Sequence, residues 1–508
     1  MNNIKTLSKS NYLLGARCPK SLQLMLRHPE YSSEYGKEAD FGEFEEFYAL
    51  SREYYPDCVT INNEEGFSRA VLETKLAIEE GQETIANAIF RTPTNETCRV
   101  KLMHRNQDGD YDIFDIQSKR TEDESKLSKD GIAFIYQVLK RCGVRIGGVY
   151  IMYINPTFVK NGAINAREFF SLYDCTTEVY EMQPAVVSNI ETCWTVINAT
   201  EEIERERDYT CIQPEDNACE FSCHCFKDIP ENSILNISRF QAKKALPLID
   251  SGIITMRDLA DAGVKVTDNQ RLQVETEAYN LPPTVDVMNL ESTLSQITYP
   301  LYHLDFETVN EPVPHFDGEK PWQQVPFQFS LHVQRYKGAE PEHYEFLAEP
   351  GTDYRRPLAE ALCEYIPENV CTLAYHMSFE QLRLAELADL YDDLHDHLMS
   401  IRDNMKDLEI PFSKHYYYCK EMQGRSSIKK VLPALCPGDP ELDYTALEGV
   451  HKGDEASRAF KAMARMSEED DAVTRKQLLD YCCLDTLAMV KVLDRLYEIL
   501  DEELGRAA

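Results

Sequence analysis

The sequence predicts an α/β protein built from more than one domain, with strands and helices interleaved in both halves. Three observations carry that prediction. The chain has 508 residues, which ordinary domain sizes divide into roughly two to four units, each able to bury its own core. Hydrophobic content of 43% and charged content of 28% are those of globular chains. Runs of period-2 alternation recur between runs of helical period, and no repeat or Gly/Ser tract interrupts them.

The N-terminal stretch opens on Leu7-Ser8-Lys9-Ser10, passes Tyr12, Gly15 and Cys18-Pro19-Lys20, and runs into an apolar helix. Residues 37–54 and 65–90 read as helical. Strands are expected at 97–104, 110–117 and 146–154, with a helix at 130–142 between the last two. A further strand at 167–174 and a helix at 178–207 follow. Then come four clustered cysteines, Cys211, Cys219, Cys223 and Cys225. A zinc site calls for a second closely spaced pair to partner Cys219 and Cys223, and none lies nearby. A [4Fe–4S] cluster calls for four thiolates on rigidly held loops, with Cys18 as the distant fourth. Spacing alone leaves zinc and iron–sulfur open. Residues 229–296 read as a helical connector, with Gly252 and Gly263 marking turns.

The second half turns on Tyr302-His303-Leu304-Asp305-Phe306-Glu307-Thr308. As a strand it sends Leu304 and Phe306 to one side and Asp305 and Glu307 to the other. Adjacent carboxylates repel, and hard divalent cations relieve the repulsion. Two such ions about 4 Å apart can activate a water and stabilise the leaving oxygen of a phosphodiester. Residues 326–334 and 342–347 continue as strands, 355–366 as a helix and 370–375 as a strand running into His376-Met377-Ser378-Phe379-Glu380. Residues 476–500 form a long amphipathic helix, on which Tyr481 and Asp485, four apart, share a face.

The formal charge of −34 opposes a polyanionic partner, because backbone affinity for nucleic acid comes from Lys and Arg. Basic side chains gather only locally, at Lys126/Lys129, Lys140/Arg141, Arg239/Lys243/Lys244 and Arg425/Lys429/Lys430. No apolar run reaches the length of a membrane span and the N-terminus lacks a signal-peptide core. The expectation is a cytoplasmic protein with no membrane partner. Its sixteen cysteines are then thiols or metal ligands rather than disulfides.

These motifs resemble a known arrangement. Residues from about 297 to 500 resemble a DnaQ-like exonuclease domain of the DEDD superfamily, on an RNase H-like fold. Asp305 and Glu307 match its first motif, His376-x-x-Phe379-Glu380 stands where Asn-x-x-Phe-Asp is usual, and Tyr481-x-x-x-Asp485 matches the tyrosine form of the third. Glu380 is one methylene longer than the usual Asp. The texture of "LDFET", "PFQFSLH", "SIKKVLPAL" and "YCCLDTLAMV" is similar to that of a bacterial family of predicted nucleases. The resemblance implies a 3′–5′ exonuclease acting on DNA or RNA. Asp305, Glu307, Glu380 and Asp485 would hold two Mg²⁺ or Mn²⁺ ions, and Tyr481 would handle the attacking water. Lys429 reads equally as a phosphate contact or as a surface lysine.

The "GARCPK" and "CEFSCHC" segments resemble the iron–sulfur members of the RecB-like nucleases. That resemblance implies a [4Fe–4S] cluster on Cys18, Cys211, Cys219 and Cys225, and a mixed α/β PD-(D/E)xK core over 1–228. Here the chain departs from the pattern. Lys101 stands at the position of the metal-binding Asp, Asp115-Ile116-Gln117 lacks the catalytic lysine, and Ile135 replaces the helix glutamine. A lysine in that place puts a cation where the metal's charge belongs, so a degenerate domain is expected, kept as scaffold or nucleic-acid guide. The expected organisation is 1–228, a connector at 229–296 and an exonuclease domain at 297–508. Two other classes compete: a non-catalytic nucleic-acid-binding or assembly protein, and a metal-dependent phosphoesterase for small nucleotides, which tolerates the acidic surface better.

Overall fold

A computed structural model describes residues 5–36, 44–212, 218–230 and 232–507. The chain divides into two units, Met1–Asp228 with Glu311–Trp322, and Ile229–Asn310 with Gln323–Ala508. The segment 229–296 groups with the second unit. Glu311–Trp322, from within the expected exonuclease domain, groups with the first unit, where Val313 joins the apolar cluster of Phe47, Phe114 and Phe169.

The first unit is built on a seven-stranded sheet. Its strands are β1 (Leu7–Ser8), β2 (Val59–Thr60), β3 (Thr84–Arg91), β4 (Glu96–Arg105), β5 (Tyr111–Arg120), β6 (Ile146–Ile154) and β7 (Phe170–Asp174). The order is β2-β3-β4-β5-β6-β7, with β1 beside the start of β4. β3, β4 and β5 run antiparallel, and β5 and β6 are parallel. The helix Asp130–Arg141 falls between β5 and β6 in sequence and buries Ile132, Phe134, Ile135, Val138 and Leu139. The helix expected over 65–90 ends at Glu79. Gly81, at φ +76°, turns the chain, and the β-branched and aromatic residues Ile85, Ile89 and Phe90 continue as β3. Of the helix expected over 37–54, residues 37–43 lie outside the described residues, and Glu45–Arg52 is helical. The helix expected over 178–207 spans Thr176–Asn198.

In the second unit, β8 (Thr284–Val285) pairs with β14 (Tyr417–Tyr418). The main sheet comprises β9 (Leu301–Val309), β10 (Val325–Gln334), β11 (Glu342–Leu347), β12 (Cys371–Ala374) and β13 (Met405–Asp407), in the order β11-β10-β9-β12-β13. β9, β10 and β11 are antiparallel, while β12 runs parallel to both β9 and β13. The two faces of β9 and β10 differ sharply. Tyr302, Leu304, Phe306, Phe329, Leu331 and Val333 pack on Leu358, Leu362, Leu384 and Leu387 from the helices Arg355–Tyr365 and Ser378–Leu390. The opposite face is polar. Asp305 pairs with Ser330, Glu307 with Gln328 and His303 with His332, and His332 pairs in turn with His343 on β11.

A 40-residue helix, Glu468–Ala507, lies over that polar face. Hydrogen bonds hold it there: Gln328 Nε2 donates to Leu478 O (2.8 Å), and Thr486 Oγ1 meets Ser330 Oγ (2.6 Å) and His332 Nδ1 (2.8 Å). Another stripe of the same helix, with Leu484, Met489, Leu493 and Leu496, joins a second core with Leu290, Phe412 and Tyr418. No helix among the described residues is long and apolar enough to cross a membrane. All sixteen cysteines are free thiols.

Candidate metal centre

Strand alternation on β9 brings Asp305 and Glu307 to the polar face, and the long helix delivers Asp485 opposite them. One carboxylate oxygen from each lies within 4.8 Å of the others. Like charges held this close out of water raise one another's pKa. Burial pushes Asp305 well above the usual carboxylate range, and Asp485, Glu380 and Glu307 push it further. Burial, then Asp485, raises Glu307 to about 8, and burial raises Asp485 to about 6.

Glu380 enters from the first turn of the helix Ser378–Leu390. It stands outside the 4.8 Å triad yet near enough to act on Asp305. Its side chain is buried, burial lifts its pKa to about 8, and Oε2 has no hydrogen-bond partner. The turn ahead of it is fixed by His376, which sits at φ +68°. The His376 N–H donates to Asp407 Oδ1 (3.0 Å) and its ring meets Glu409 at 2.8 Å. Four acids, one with an orphaned buried oxygen, are the donor set of a hard divalent cation, so the residues present fit Mg²⁺ or Mn²⁺.

Lys429 is the cation that faces the acids, lowering Asp305, Glu307 and Asp485 alike. Its Nζ donates to Tyr481 Oη (3.0 Å) and to His451 O (3.0 Å), and lies 5.0 Å from the Tyr481 ring centre. Tyr481 stays a neutral phenol, since burial and the charges of Asp485, Glu307 and Asp305 all raise its pKa. Three neighbours carry no signal in the sequence. Tyr444, from a short 3₁₀ turn, donates its hydroxyl to Asp485 Oδ1 (2.5 Å). Cys482 Sγ lies 3.9 Å from Asp305 Oδ2. Gly453 leaves room beside Glu307, where an added Cβ would come within 3.5 Å of Oε2.

In the first unit, Cys18 lies between the helices Lys9–Arg17 and Pro19–Arg27. Cys211 and Cys225 are each close enough to Cys18 and Cys219 to feel their charge. Cys219 Sγ is 3.5 Å from Ser21 Oγ and packs with Leu24 and Phe221. Burial acts to raise the Cys18 thiol, but hydrogen bonds at Ser21 and the charge of Arg205 outweigh it and hold the pKa below its usual value. Cys223, left out of the quartet, is exposed. Among the described residues the four thiols do not form a group as tight as 4.8 Å.

Among the described residues, Lys101, Asp115 and Ile135 form no group of metal ligands. Lys101 Nζ lies over the Tyr48 ring at 3.9 Å. Asp115 takes a hydrogen bond from Gln117 Nε2 (3.0 Å) and lies 3.6 Å from Lys9 Nζ. Ile135 is core. Nearby, Asp110 pairs with Arg145 (3.1 Å) and Asp112 accepts from Asn106 (2.9 Å) around the single turn between β4 and β5, while Lys119 donates to Lys126 O (2.7 Å).

A family model described as "Domain of unknown function (DUF2779)" matches residues 302–427. That span holds Asp305, Glu307 and Glu380 and ends before Lys429, Tyr481 and Asp485. No curated protein matches the sequence. A solved structure titled "Crystal structure of SSO0001" aligns over 40% of this chain and 90% of its own, at 10% identity and a TM-score of 0.18, a superposition too poor to establish a shared fold.

Proposed function

We propose that the second unit is a metal-dependent 3′–5′ exonuclease hydrolysing phosphodiester bonds of DNA or RNA. The observation that carries this reading is the convergence of Asp305, Glu307 and Asp485 within 4.8 Å, with Glu380 and Lys429 beside them. The strand order β11-β10-β9-β12-β13, antiparallel on one side of β9 and parallel on the other, supports an RNase H-like fold. Bound at the acids, Mg²⁺ or Mn²⁺ ions supply charge for the scissile phosphate and lower the pKa of the attacking water. Tyr481 Oη orients that water, held toward the acids by Lys429 Nζ. Lys429 also offers the site's cation to a phosphate oxygen. Tyr444 fixes one Asp485 oxygen through its hydroxyl hydrogen bond. Attack from a 3′ end with release of mononucleotides rests on the resemblance of the motifs, not on the geometry.

The first unit serves in this reading as an iron–sulfur-bearing, RecB-like domain without a working nuclease site, acting as scaffold or nucleic-acid guide. A reducing cytoplasm suits its free thiols. The net charge of −34 favours a second reading, a phosphoesterase for small nucleotides. Purified protein incubated with 3′-labelled DNA, 3′-labelled RNA and mononucleotides, in Mg²⁺ and in EDTA, separates the two. The exonuclease reading expects stepwise shortening of labelled strands that EDTA abolishes and Asp305→Ala removes. Turnover of mononucleotides alone supports the second reading, and no turnover of either overturns both.

A further inference from the structure

We propose that His332, His343 and Cys483 form a separate site for a borderline metal ion, of which Zn²⁺ is the type. Two imidazoles and a thiolate are the donors zinc prefers, whereas Mg²⁺ takes oxygens. The site draws on three elements. His332 and His343 are direct cross-strand partners on β10 and β11, and their rings stack with centres 4.5 Å apart. Cys483 reaches them from the long helix, its Sγ 3.9 Å from His343 Nδ1. One donor atom from each residue lies within 4.8 Å of the other two. Tetrahedral zinc, with Zn–S about 2.3 Å and Zn–N about 2.0 Å, sets donors about 3.5 Å apart, so side-chain shifts of about 1 Å or less close the site.

The surroundings are those of metal-binding histidines, in which a partner on one ring nitrogen leaves the other for the ion. Thr486 Oγ1 meets His332 Nδ1 at 2.8 Å and Ser330 Oγ meets His343 Nε2 at 2.9 Å. The two hydroxyls bond each other at 2.6 Å, so one chain of contacts orients both rings. Burial keeps both imidazoles in the neutral form that ligates, with His332 pushed down to about 3. Binding displaces the thiol proton of Cys483 to solvent. Glu345 Oε2 lies 4.0 Å from His343 Nδ1 and would be the nearby oxygen donor for a fourth position.

None of these groups belongs to the carboxylate centre, and the site stands whether or not that centre hydrolyses nucleic acid. Its consequence is mechanical. A metal here clasps β10 and the edge strand β11 to the helix that carries Tyr481 and Asp485, with Cys483 lying between those residues in sequence.

The test uses the whole chain, stripped with a chelator and titrated with Co²⁺ and with Zn²⁺ in excess Mg²⁺, which saturates the carboxylates. The four-cysteine site is removed as a variable by working in a Cys18→Ser, Cys219→Ser background. Expected is one tightly bound equivalent per chain, with a thiolate-to-cobalt charge-transfer band that His343→Gln and Cys483→Ser each abolish. Zn²⁺ should also raise the melting temperature of the second unit in the background protein and not in His343→Gln, where the outer strand position tolerates the change. No bound equivalent, or an equal band and an equal thermal shift in His343→Gln and Cys483→Ser, overturns the proposal.

Discussion

At the scale of single residues, the informative groups are acids that stay protonated where exposed acids have ionised. Glu307 and Glu380, both raised to about 8, and Asp485, raised to about 6, bind protons in the folded state that the unfolded chain has already released. A raised carboxyl pKa makes stability fall as pH rises from the unfolded value through the folded one. Metal-free protein should therefore lose on the order of a few kcal/mol from its second unit between about pH 4 and pH 8. Divalent ions should restore most of it at the upper end. Urea unfolding followed across that range, with and without Mg²⁺, checks both signs, and a metal-free stability flat over the window would remove the coupled acids as its source. Tyr481→Phe keeps the ring beside Lys429 and removes the hydroxyl, so kcat should fall at least tenfold with substrate affinity little changed. Equal kcat would take Tyr481 out of water handling. Asp305, Glu307, Tyr481 and Asp485 were legible because each pair follows a local period, two on a strand and four on a helix. In the sequence Lys429 reads equally well as a surface lysine, since its role depends on acids up to 124 positions away. Tyr444 had no signal at all, because a 3₁₀ turn imposes no pattern that marks it.

At the scale of elements, the second unit places a polar strip where a sheet usually buries apolar side chains. Helices on the Leu304/Phe306 face are held by ordinary core packing, but the long helix is anchored to the other face by side-chain hydrogen bonds. Such networks rigidify when every member is satisfied and cost free energy when one is not. Here His303 Nδ1 and Gln328 Oε1 are buried without a protein hydrogen-bond partner, while most other members of the strip are tied to one another or to the helix. Thr486 is fully buried and joins Ser330, His332 and the Cys483 carbonyl. Thr486→Val keeps the shape and strands those partners, which should cost about 1–3 kcal/mol. Chemical denaturation of the variant measures it, and a neutral result would mean that water replaces the hydroxyl. The alternation of β9 and β10 was plain in the sequence, and so was the long helix, though not that its polar stripe faces the sheet. The 65–90 stretch misled because its first half is a true helix. Only Gly81 and the β-branched run beyond it mark the change of period.

At the scale of the whole molecule, the carboxylate cluster and the cysteine quartet fall in different units. The first gathers Cys18, Cys211, Cys219 and Cys225, and protein prepared without oxygen should be brown, with about four irons per chain. Cys18→Ala should lower iron content and soluble yield more than it lowers the hydrolysis rate per folded molecule. Colourless protein with one zinc would instead make the quartet a zinc site. Within that same unit no second hydrolytic centre is expected. Lys101, its pKa lowered chiefly by burial, spends its charge over the Tyr48 ring, and Asp115, the one surviving acid, is occupied by Gln117 and Lys9. A single carboxylate beside an ammonium attracts a divalent ion poorly, and Gln117 brings no positive charge to a phosphate. A chain with Asp305, Glu307 and Asp485 all replaced by Ala should accordingly leave linear DNA intact and circular DNA unnicked in Mg²⁺ or Mn²⁺. Binding of nucleic acid by the same variant tests the guide role separately, since a groove needs no catalytic metal. Nicking that persists in the triple variant and disappears on adding Asp115→Ala would restore a working nuclease site to the first unit.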